Sequence, residues 1–297
     1  MKIEPLPIPT RLLGGEVVDS YAGRHARRNG LRADQVEAAL RDVLKFPQSK
    51  SKRHPDRIAA WRALGDLHER AFTEPEIVAG DWVVTRPLCS KCVPHPDQAS
   101  GRLPWMGWVC LKHRRWMGDP QVDLARFGEA LVAERHWRHT LAPRDVVVAS
   151  PVLRLAEEAA LVGISKSATE ERAERVSVPS PGVLVYPETV ALARVLTRPS
   201  FLDLACDPDA PGAQRRALVE REVYRILPDV EDAEAWRAVA RAWTMVTDLS
   251  DLIRDARLVG MAPDDGKYNV LRYSRWLAQP PQGLGRRAEA NRDGAAG

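Results

Sequence analysis

Apolar and polar residues recur with helical periodicity through the first part of the chain. Residues 16–28 and 33–44 each show this pattern, and Asn29 and Gly30 interrupt it because both tolerate the left-handed turn conformation. Two helices joined by a short glycine turn are typical of a helix-turn-helix unit. A third helix is predicted over residues 58–72, where the apolar periodicity returns.

The later part of the chain shows the same periodicity in six segments that are separated by turns containing Pro, Gly or Asp. These predicted helices cover residues 122–139, 151–162, 188–197, 212–227, 231–259 and 268–278. Residues 177–186 favour a loop with one short strand instead. In the longest helix an apolar stripe is interpreted as core, and it includes Trp236, Val239, Trp243, Val246, Leu249 and Ile253. The predicted fold class is therefore mainly α.

Three of the four cysteines of the chain lie within residues 87–117. Cys89 and Cys92 form a C-x2-C pair, Cys110 and His113 form a C-x2-H pair, and 17 residues separate the two pairs. Two close ligand pairs joined by a longer loop are typical of a tetrahedral zinc site. Because four protein ligands leave no open position for water, the predicted Zn2+ is structural rather than catalytic.

Other interpretations of this cluster are weaker but specific. His95, which lies between Pro94 and Pro96, is a rival fourth ligand. A disulfide or a chance cluster leaves the well-spaced His113 unexplained. A nucleobase deaminase would need an H-x-E motif, which the sequence lacks. An HNH-type nuclease would need an Asn partner beside its histidines, and none is evident.

Composition and charge narrow the function classes. Apolar residues make up 44% and charged residues 28%, which is ordinary for a soluble globular protein. No apolar run approaches 18 residues and no signal peptide is evident, so we expect a cytoplasmic protein without a membrane segment. Residues 1–118 hold 20 Lys and Arg against 13 Asp and Glu, a net charge of +7, whereas residues 119–297 carry −3. This asymmetry favours a polyanionic partner for the first part of the chain.

The candidate DNA-binding residues are basic side chains near the two N-terminal helices. Four arginines are expected on the outside of the helical pair, and three more basic residues lie in a Pro-bracketed linker over residues 45–57. The full set is Arg24, Arg27, Arg28, Arg32, Lys50, Lys52 and Arg53. An ordinary helical hairpin with a basic face, and a solvated basic loop, remain the alternatives.

A specific motif runs through the first helix. The stretch LPIP is followed by Glu16-x3-Ser20-Tyr21-x2-Arg24-x-Ala26-x2-Asn29-Gly30. This pattern resembles the opening of the TniQ family, and the C-x2-C and C-x2-H pairs with an aromatic-rich loop resemble the zinc module of that family. The two motifs cover about the first 118 residues. After His113 the sequence departs from many relatives, which continue with Gly and a further cysteine pair.

The TniQ resemblance implies a role in the DNA transposition of mobile elements. TniQ proteins are non-enzymatic adaptors that link target DNA recognition to an AAA+ ATPase and, through it, to the transposase. The expected partners are therefore DNA, an AAA+ transposition ATPase or another transposition protein, and a second copy of the same chain. A zinc-containing helix-turn-helix transcriptional regulator is the alternative, because it would use the same N-terminal residues without transposition machinery.

Four regions are expected along the chain. They are a helix-turn-helix domain over residues 1–80, a zinc module over 81–118, a helical domain over 119–285, and a disordered tail over 286–297. The sequence contains no P-loop, no dinucleotide-binding glycines, no Gly-x-Ser-x-Gly and no paired-carboxylate constellation. The protein is therefore expected not to be an enzyme.

Overall fold

Two units, each assembled from separate stretches of sequence, make up the computed structural model. The first comprises Met1–Glu76, Val84–Leu103 and Arg115–Gln121, and the second comprises Ile77–Val83, Pro104–Arg114 and Val122–Gly297. The structure describes residues 3–44, 54–73, 83–93, 98–227 and 232–258. Residues 81–118, which the sequence assigns to one zinc module, are divided between the two units.

The described residues of the first unit contain three helices. They are α1 (Val18–Arg28), α2 (Ala33–Leu44) and α3 (Pro55–Leu64). Their core is formed by buried small and apolar residues, namely Val18, Ala22, Ala26, Trp61 and Leu64, with Val36 and Leu40 of α2 packed against them. The small side chain of Ala26, which is fully buried, allows the helices to approach closely.

The turn between α1 and α2 has the geometry that the sequence predicts. Gly30 has a φ of 71°, in the left-handed region, and its amide donates to the carbonyl of Arg27 at 3.0 Å. The amide of Leu31 donates to the carbonyl of Ala26 at 2.9 Å, which closes the end of α1. The predicted helix pair and its glycine turn are therefore confirmed, with α1 beginning two residues later than expected.

Helix α3 is shorter at its end than the predicted segment over residues 58–72. It begins at Pro55, in the first-turn position that proline favours, and the side chain of His54 accepts a hydrogen bond from the amide of Asp56 at 3.3 Å. It ends at Leu64, because Asp66 has a positive φ of 47° and turns the chain away from the helix axis. The prediction that the helix continues to residue 72 is wrong.

Two short ladders, which were not predicted, occur among the described residues. Strands β1 (Thr85–Pro87) and β2 (Ser100–Arg102) pair antiparallel, with Arg86 opposite Gly101. Gly101 also bridges to Glu16, and a Cβ added at Gly101 would lie 2.6 Å from the carbonyl oxygen of Gly15. Strands β3 (Val109–Cys110) and β4 (Arg115–Trp116) form the second ladder.

The second unit is mainly helical. Its helices are α4 (Gly128–His136), α5 (Pro151–Gly163), α6 (Lys166–Ala173), α7 (Pro181–Leu184), α8 (Tyr186–Leu196), α9 (Pro199–Ala205), α10 (Gly212–Ile226) and α11 (Asp232–Leu258). A π-helical turn, Trp137–Leu141, and a 3-10 turn, Ala142–Arg144, follow α4. Helix α5 packs against both α8 and α11, and these three helices contribute much of the buried core.

Five of the six helices predicted after residue 119 are confirmed, with shifts at their ends. The short strand expected within residues 177–186 is wrong. Helix α7 lies there instead, because Ser180 and Pro181 start a helical turn whose residues Val183 and Leu184 are buried. Helices α6 and α9 were not predicted. The predicted helix over residues 268–278 and the predicted tail over 286–297 lie outside the described residues.

The predicted apolar stripe of α11 is largely buried, with one exception. Val239, Val246, Leu249 and Ile253 are each at most 5% exposed, as expected of core positions. Trp236 is 56% exposed, so its assignment to the core is wrong. Ala238 and Ala242 are completely buried, so the inward face of the helix is the side that contains them and not the side of Trp236.

The fold class is mainly α, as the periodicity of the sequence predicts. No helix in the described part of the chain combines the length and the apolar character that crossing a membrane requires.

Candidate metal centre and basic residues

Four side chains converge on one point of the structure. The ligand atoms of Cys89, Cys92, Cys110 and His113 all lie within 4.8 Å of one another. The Sγ atom of Cys110 is 3.7 Å from Nδ1 of His113. A tetrahedral zinc ion would hold such a sulfur and nitrogen about 3.6 Å apart, given its usual bond lengths. The cluster offers three soft sulfur donors and one nitrogen donor to a metal ion.

The first pair of ligands lies in a tight turn. The amides of Cys92 and Val93 both donate to the carbonyl of Cys89, at 2.8 and 3.2 Å. The side chain of Gln121 braces this turn, because its Oε1 accepts from the amide of Ser90 at 2.8 Å and its Nε2 donates to the carbonyl of Leu88 at 2.7 Å. Gln121 was not predicted from the sequence, since nothing in its local pattern points to a partner 33 residues earlier.

The second pair of ligands lies on a reversal of the chain. Cys110 ends β3, and after His113 the chain reverses at Arg114, which has a left-handed φ of 50°. The carbonyl of Arg114 accepts a hydrogen bond from the amide of Leu124 at 2.8 Å, and this bond attaches the reversal to a later part of the chain. The turn therefore presents Cys110 and His113 in the same direction.

A buried carboxylate supports the loop that leads to Cys110. Glu134 of α4 is 0% exposed and accepts hydrogen bonds from the amides of Gly107 and Val109, both at 3.1 Å. It also accepts from Tyr186 Oη and from Arg138 Nε, both at 2.8 Å. Burial raises the pKa of Glu134, while the hydrogen bonds from Arg138 and Tyr186 oppose that effect.

Gly107 is required at this loop by the close approach of its neighbours. A Cβ atom at Gly107 would overlap Tyr186 Oη and would lie 2.5 Å from an oxygen of Glu134. The contact with Glu134 was not predicted, although the sequence contains one signal for it, a glycine between two bulky residues, Met106 and Trp108. Such a glycine often marks a close approach of the backbone to another group.

The four candidate ligands differ in exposure. Cys89 and Cys110 are buried, His113 is intermediate, and Cys92 is exposed. This arrangement could hold a metal ion with four protein ligands. His95, the rival ligand, lies outside the described residues, so the choice between His95 and His113 rests on the position of His113 in the cluster.

The predicted DNA-binding arginines divide into two classes. Arg27, Arg28 and Arg32 are exposed, and Arg32 forms an ion pair with Asp34 at 2.7 Å. Arg24 is only 2% exposed, so the expectation that it lies on the outside is wrong. It points into the unit because Glu16 provides a buried carboxylate partner there. Lys50, Lys52 and Arg53 lie outside the described residues.

Arg24 and Glu16 form a bidentate pair, with Nε and Nη2 of the arginine each 2.8 Å from a different carboxylate oxygen. Glu16 also accepts from Ser20 Oγ at 2.7 Å and from the amide of Leu13 at 3.1 Å. Arg24 donates a further bond to the carbonyl of Arg11 at 2.8 Å. The three charged and polar residues of the E-x3-S-x3-R motif therefore form one buried network.

The remaining polar residues of the motif attach the Pro-rich lead, residues 6–13, to α1. Asn29 Oδ1 accepts from the amide of Ile8 at 2.8 Å, and its Nδ2 donates to the carbonyls of Ile8 and His25 at 3.0 and 2.9 Å. Tyr21 Oη donates to the carbonyl of Thr10 at 3.2 Å, and burial raises the pKa of Tyr21 to about 12. The motif therefore determines how residues 6–13 lie on the helix.

Comparison with known proteins adds no relative. No protein-family model, no curated protein and no solved structure matches this chain.

Proposed function

We propose that this protein is a non-enzymatic, DNA-associated adaptor of the TniQ type, which links target DNA to an AAA+ ATPase in transposition. One observation carries the proposal. Each motif that resembles the TniQ family forms a local structure. The polar residues of the first motif hold the Pro-rich lead on α1, namely Glu16, Ser20, Arg24 and Asn29. The four residues of the second motif lie together as one cluster, namely Cys89, Cys92, Cys110 and His113. Motif residues that determine a fold support kinship of fold better than scattered identities would.

The metal in this proposal is a structural zinc ion. Three thiolates and one imidazole match the donor set that zinc prefers, and four protein ligands fill a tetrahedral shell. When bound, the ion supplies a crosslink rather than chemistry, and Gln121 and Glu134 keep its two ligand pairs in place. No step of catalysis is assigned to it.

Elemental analysis tests the metal directly. We expect one zinc per chain in the wild-type protein and less than about 0.1 in Cys110→Ser, because losing one thiolate weakens structural zinc sites severely. Cys206→Ser is the matched control, since Cys206 is buried away from the cluster in helical packing and is expected to retain full metal content. A wild-type protein that is purified without zinc and refolds equally well in chelator would contradict the structural role.

DNA binding is assigned to the exposed end of α1. Arg27 and Arg28 are exposed in its last turn, and Asn29 and the left-handed Gly30 follow them. The excess of basic residues in the first part of the chain supports a nonspecific attraction to the phosphate backbone. Because Arg24 is committed to Glu16, the proposed contact surface is smaller than the sequence implied.

The salt dependence of duplex binding tests this assignment. Two lost phosphate contacts should reduce the slope of log affinity against log salt by about 1.8 for the double variant Arg27→Ala, Arg28→Ala. The control is the double variant Arg216→Ala, Arg221→Ala, which removes the same charge from exposed positions of α10. An unchanged slope in the first variant, or an equal change in the control, would leave the helical pair as scaffold.

The proposed docking surface for the ATPase, or for a second copy of the chain, lies on the helical second unit. Residues 119–297 carry a net charge of −3 and consist largely of amphipathic helices, which suits a protein partner. Co-purification of the full chain with an AAA+ transposition ATPase from the same genome tests this. A protein that binds DNA but captures no such ATPase would favour the transcriptional regulator instead.

A further inference from the structure

Five basic residues gather around the end of helix α8. Arg194 lies in its last turn, Arg198 follows directly before α9, and Arg144 ends the 3-10 turn Ala142–Arg144. His136 and His139 lie at the end of α4 and in the π-helical turn that follows, and both of these elements pack against α8. This grouping was not predicted, since residues 136 and 198 are far apart along the chain.

Arg144 is anchored to the end of α8. One of its terminal nitrogens, Nη1, donates to the carbonyl of Arg194 and to Thr197 Oγ1, both at 3.1 Å. Thr197 is only 1% exposed, and its hydroxyl donates to the carbonyl of Ala193 at 2.7 Å. The guanidinium of Arg144 is therefore held in a fixed position at the end of the helix.

The charges of these residues repel one another. Burial and the positive charges of Arg194 and Arg198 lower the pKa of Arg144. Burial, Arg194 and His139 lower the pKa of His136. Lowered pKa values in basic groups mean that their charged forms are held at a cost, which a nearby anion would relieve.

Protein carboxylates neutralise little of this charge. Arg198 pairs with Glu222 at 2.9 Å, but Glu222 is shared with Arg225 at 2.8 Å. Within the described ranges, neither Arg144 nor Arg194 has a carboxylate at ion-pair distance, and the Nε atoms of Arg194 and Arg198 are buried without a hydrogen-bond partner. The positive charges of Arg144 and Arg194 are therefore not compensated by carboxylates in the described part of the chain.

A purely structural role explains only part of the arrangement. One arginine at a helix C-terminus can satisfy free carbonyls and interact favourably with the helix dipole, as Arg144 does. That role does not require Arg194 and Arg198 beside it, and each added charge increases the repulsion.

We propose that Arg144, Arg194 and Arg198 form a binding site for a phosphate group, with His136 and His139 at its edge. Guanidinium groups match the geometry of phosphate and bind it through paired, charge-assisted hydrogen bonds. The site is open to solvent, since His136 and His139 are exposed and the Arg198 side chain is 39% exposed. A polynucleotide backbone and a small phosphate compound both present this group. The inference does not depend on the proposed function, which assigns DNA to α1 alone.

Calorimetric titration of the full chain with pyrophosphate, in a phosphate-free buffer of low ionic strength, tests the site. We expect saturable binding that weakens by at least about tenfold in Arg194→Gln, because each charge-assisted bond to phosphate contributes strongly. Arg194 is the informative position, because its side chain makes no hydrogen bond with another described residue. Its replacement should therefore leave the fold unchanged. Arg194→Lys retains the charge and should bind with intermediate affinity.

The matched control is Arg216→Gln, which removes the same charge from an exposed side chain of α10 that does not perturb His136 or Arg144. Equal thermal-unfolding midpoints for all four proteins would exclude a folding defect. Absent or nonsaturable binding by the wild type, or equal weakening in Arg194→Gln and Arg216→Gln, would overturn the proposal.

A labelled DNA duplex distinguishes the two sources of phosphate. If pyrophosphate competes with the duplex and Arg194→Gln weakens duplex binding, the site takes a polynucleotide backbone. If duplex affinity is unchanged while pyrophosphate affinity falls, the site takes a small phosphate compound. Either result supports the phosphate site, and neither depends on whether Arg27 and Arg28 contact DNA.

Discussion

Two groups of arginines in this protein show opposite relations to charge. In the first unit, Arg24 is buried and fully engaged by Glu16 and the carbonyl of Arg11. In the second unit, Arg144 and Arg194 lie partly buried without a carboxylate partner among the described residues. The local sequence of a basic residue therefore does not reveal its role. A buried partner makes an arginine part of the fold, and a missing partner makes it a candidate for binding.

The largest loss of stability is expected when Arg24 is replaced. Arg24→Ala should lower the free energy of unfolding by about 3–5 kcal/mol, because it leaves the Glu16 carboxylate buried without its counter-charge. Urea unfolding measures this, with Arg28→Ala as the control. Arg28 is exposed in the next turn of the same helix, so its loss should change stability by less than about 0.5 kcal/mol. Similar values for the two variants would show that the Glu16 pair does not hold α1.

A smaller loss is expected at Asn29, which belongs to the same motif but is only half-buried. Asn29→Ala removes three hydrogen bonds to Ile8 and His25, and it should destabilise the protein by about 1–2 kcal/mol. Hydrogen exchange should also show faster exchange of the Ile8 amide, since that amide donates to Asn29. Unchanged protection of Ile8 would mean that the lead is held by other contacts.

The pH dependence of stability tests the arginines of the second unit that do have a carboxylate partner, because Arg198 and Arg225 share Glu222. Burial would raise the pKa of Glu222, but hydrogen bonds and charges from Arg198 and Arg225 outweigh it and lower the pKa. A lowered pKa means that the unfolded chain takes up the proton first as pH falls, so the contribution is complete above about pH 5 and is lost progressively below pH 4. Because Arg198 and Arg225 are partly exposed, the contribution should be under about 1 kcal/mol. Glu222→Gln should flatten this part of the pH profile, and an unchanged profile would mean that the pair contributes nothing.

The smallest change in stability is expected at Arg194. Arg194→Gln should leave the free energy of unfolding within about 0.5 kcal/mol of wild type or raise it slightly, because it relieves repulsion and breaks no hydrogen bond with another described residue. Thermal unfolding in phosphate-free buffer measures this. A loss as large as that of Arg24→Ala would show that Arg194 is a structural residue and would remove the contrast between the two groups.

The sequence predicted the parts of the structure that depend on local rules. Asn29 and Gly30 marked the end of α1, because a left-handed residue terminates a helix, and the spacing of Cys89, Cys92, Cys110 and His113 identified the cluster. Helical periodicity also predicted five helices of the second unit.

The sequence could not predict features that depend on distant partners. Arg24 looks like a surface residue until Glu16 is known to lie beside it, and Glu134 looks like an ordinary helix residue until the loop around Gly107 reaches it. Trp236 fits the apolar stripe of α11 by spacing, but the neighbouring helices decide which positions are covered. Pairing and coverage are tertiary properties, so a local pattern does not contain them.

An adaptor must hold DNA and the ATPase together, so the proposed function is tested by a bridging assay. An immobilised DNA duplex is incubated with the AAA+ transposition ATPase from the same genome, with and without this protein. We expect the protein to increase the retained ATPase at a salt concentration where the ATPase alone is washed away, and the Arg27→Ala, Arg28→Ala variant to reduce that gain severalfold. ATPase retention that is the same with and without the protein would contradict the adaptor function.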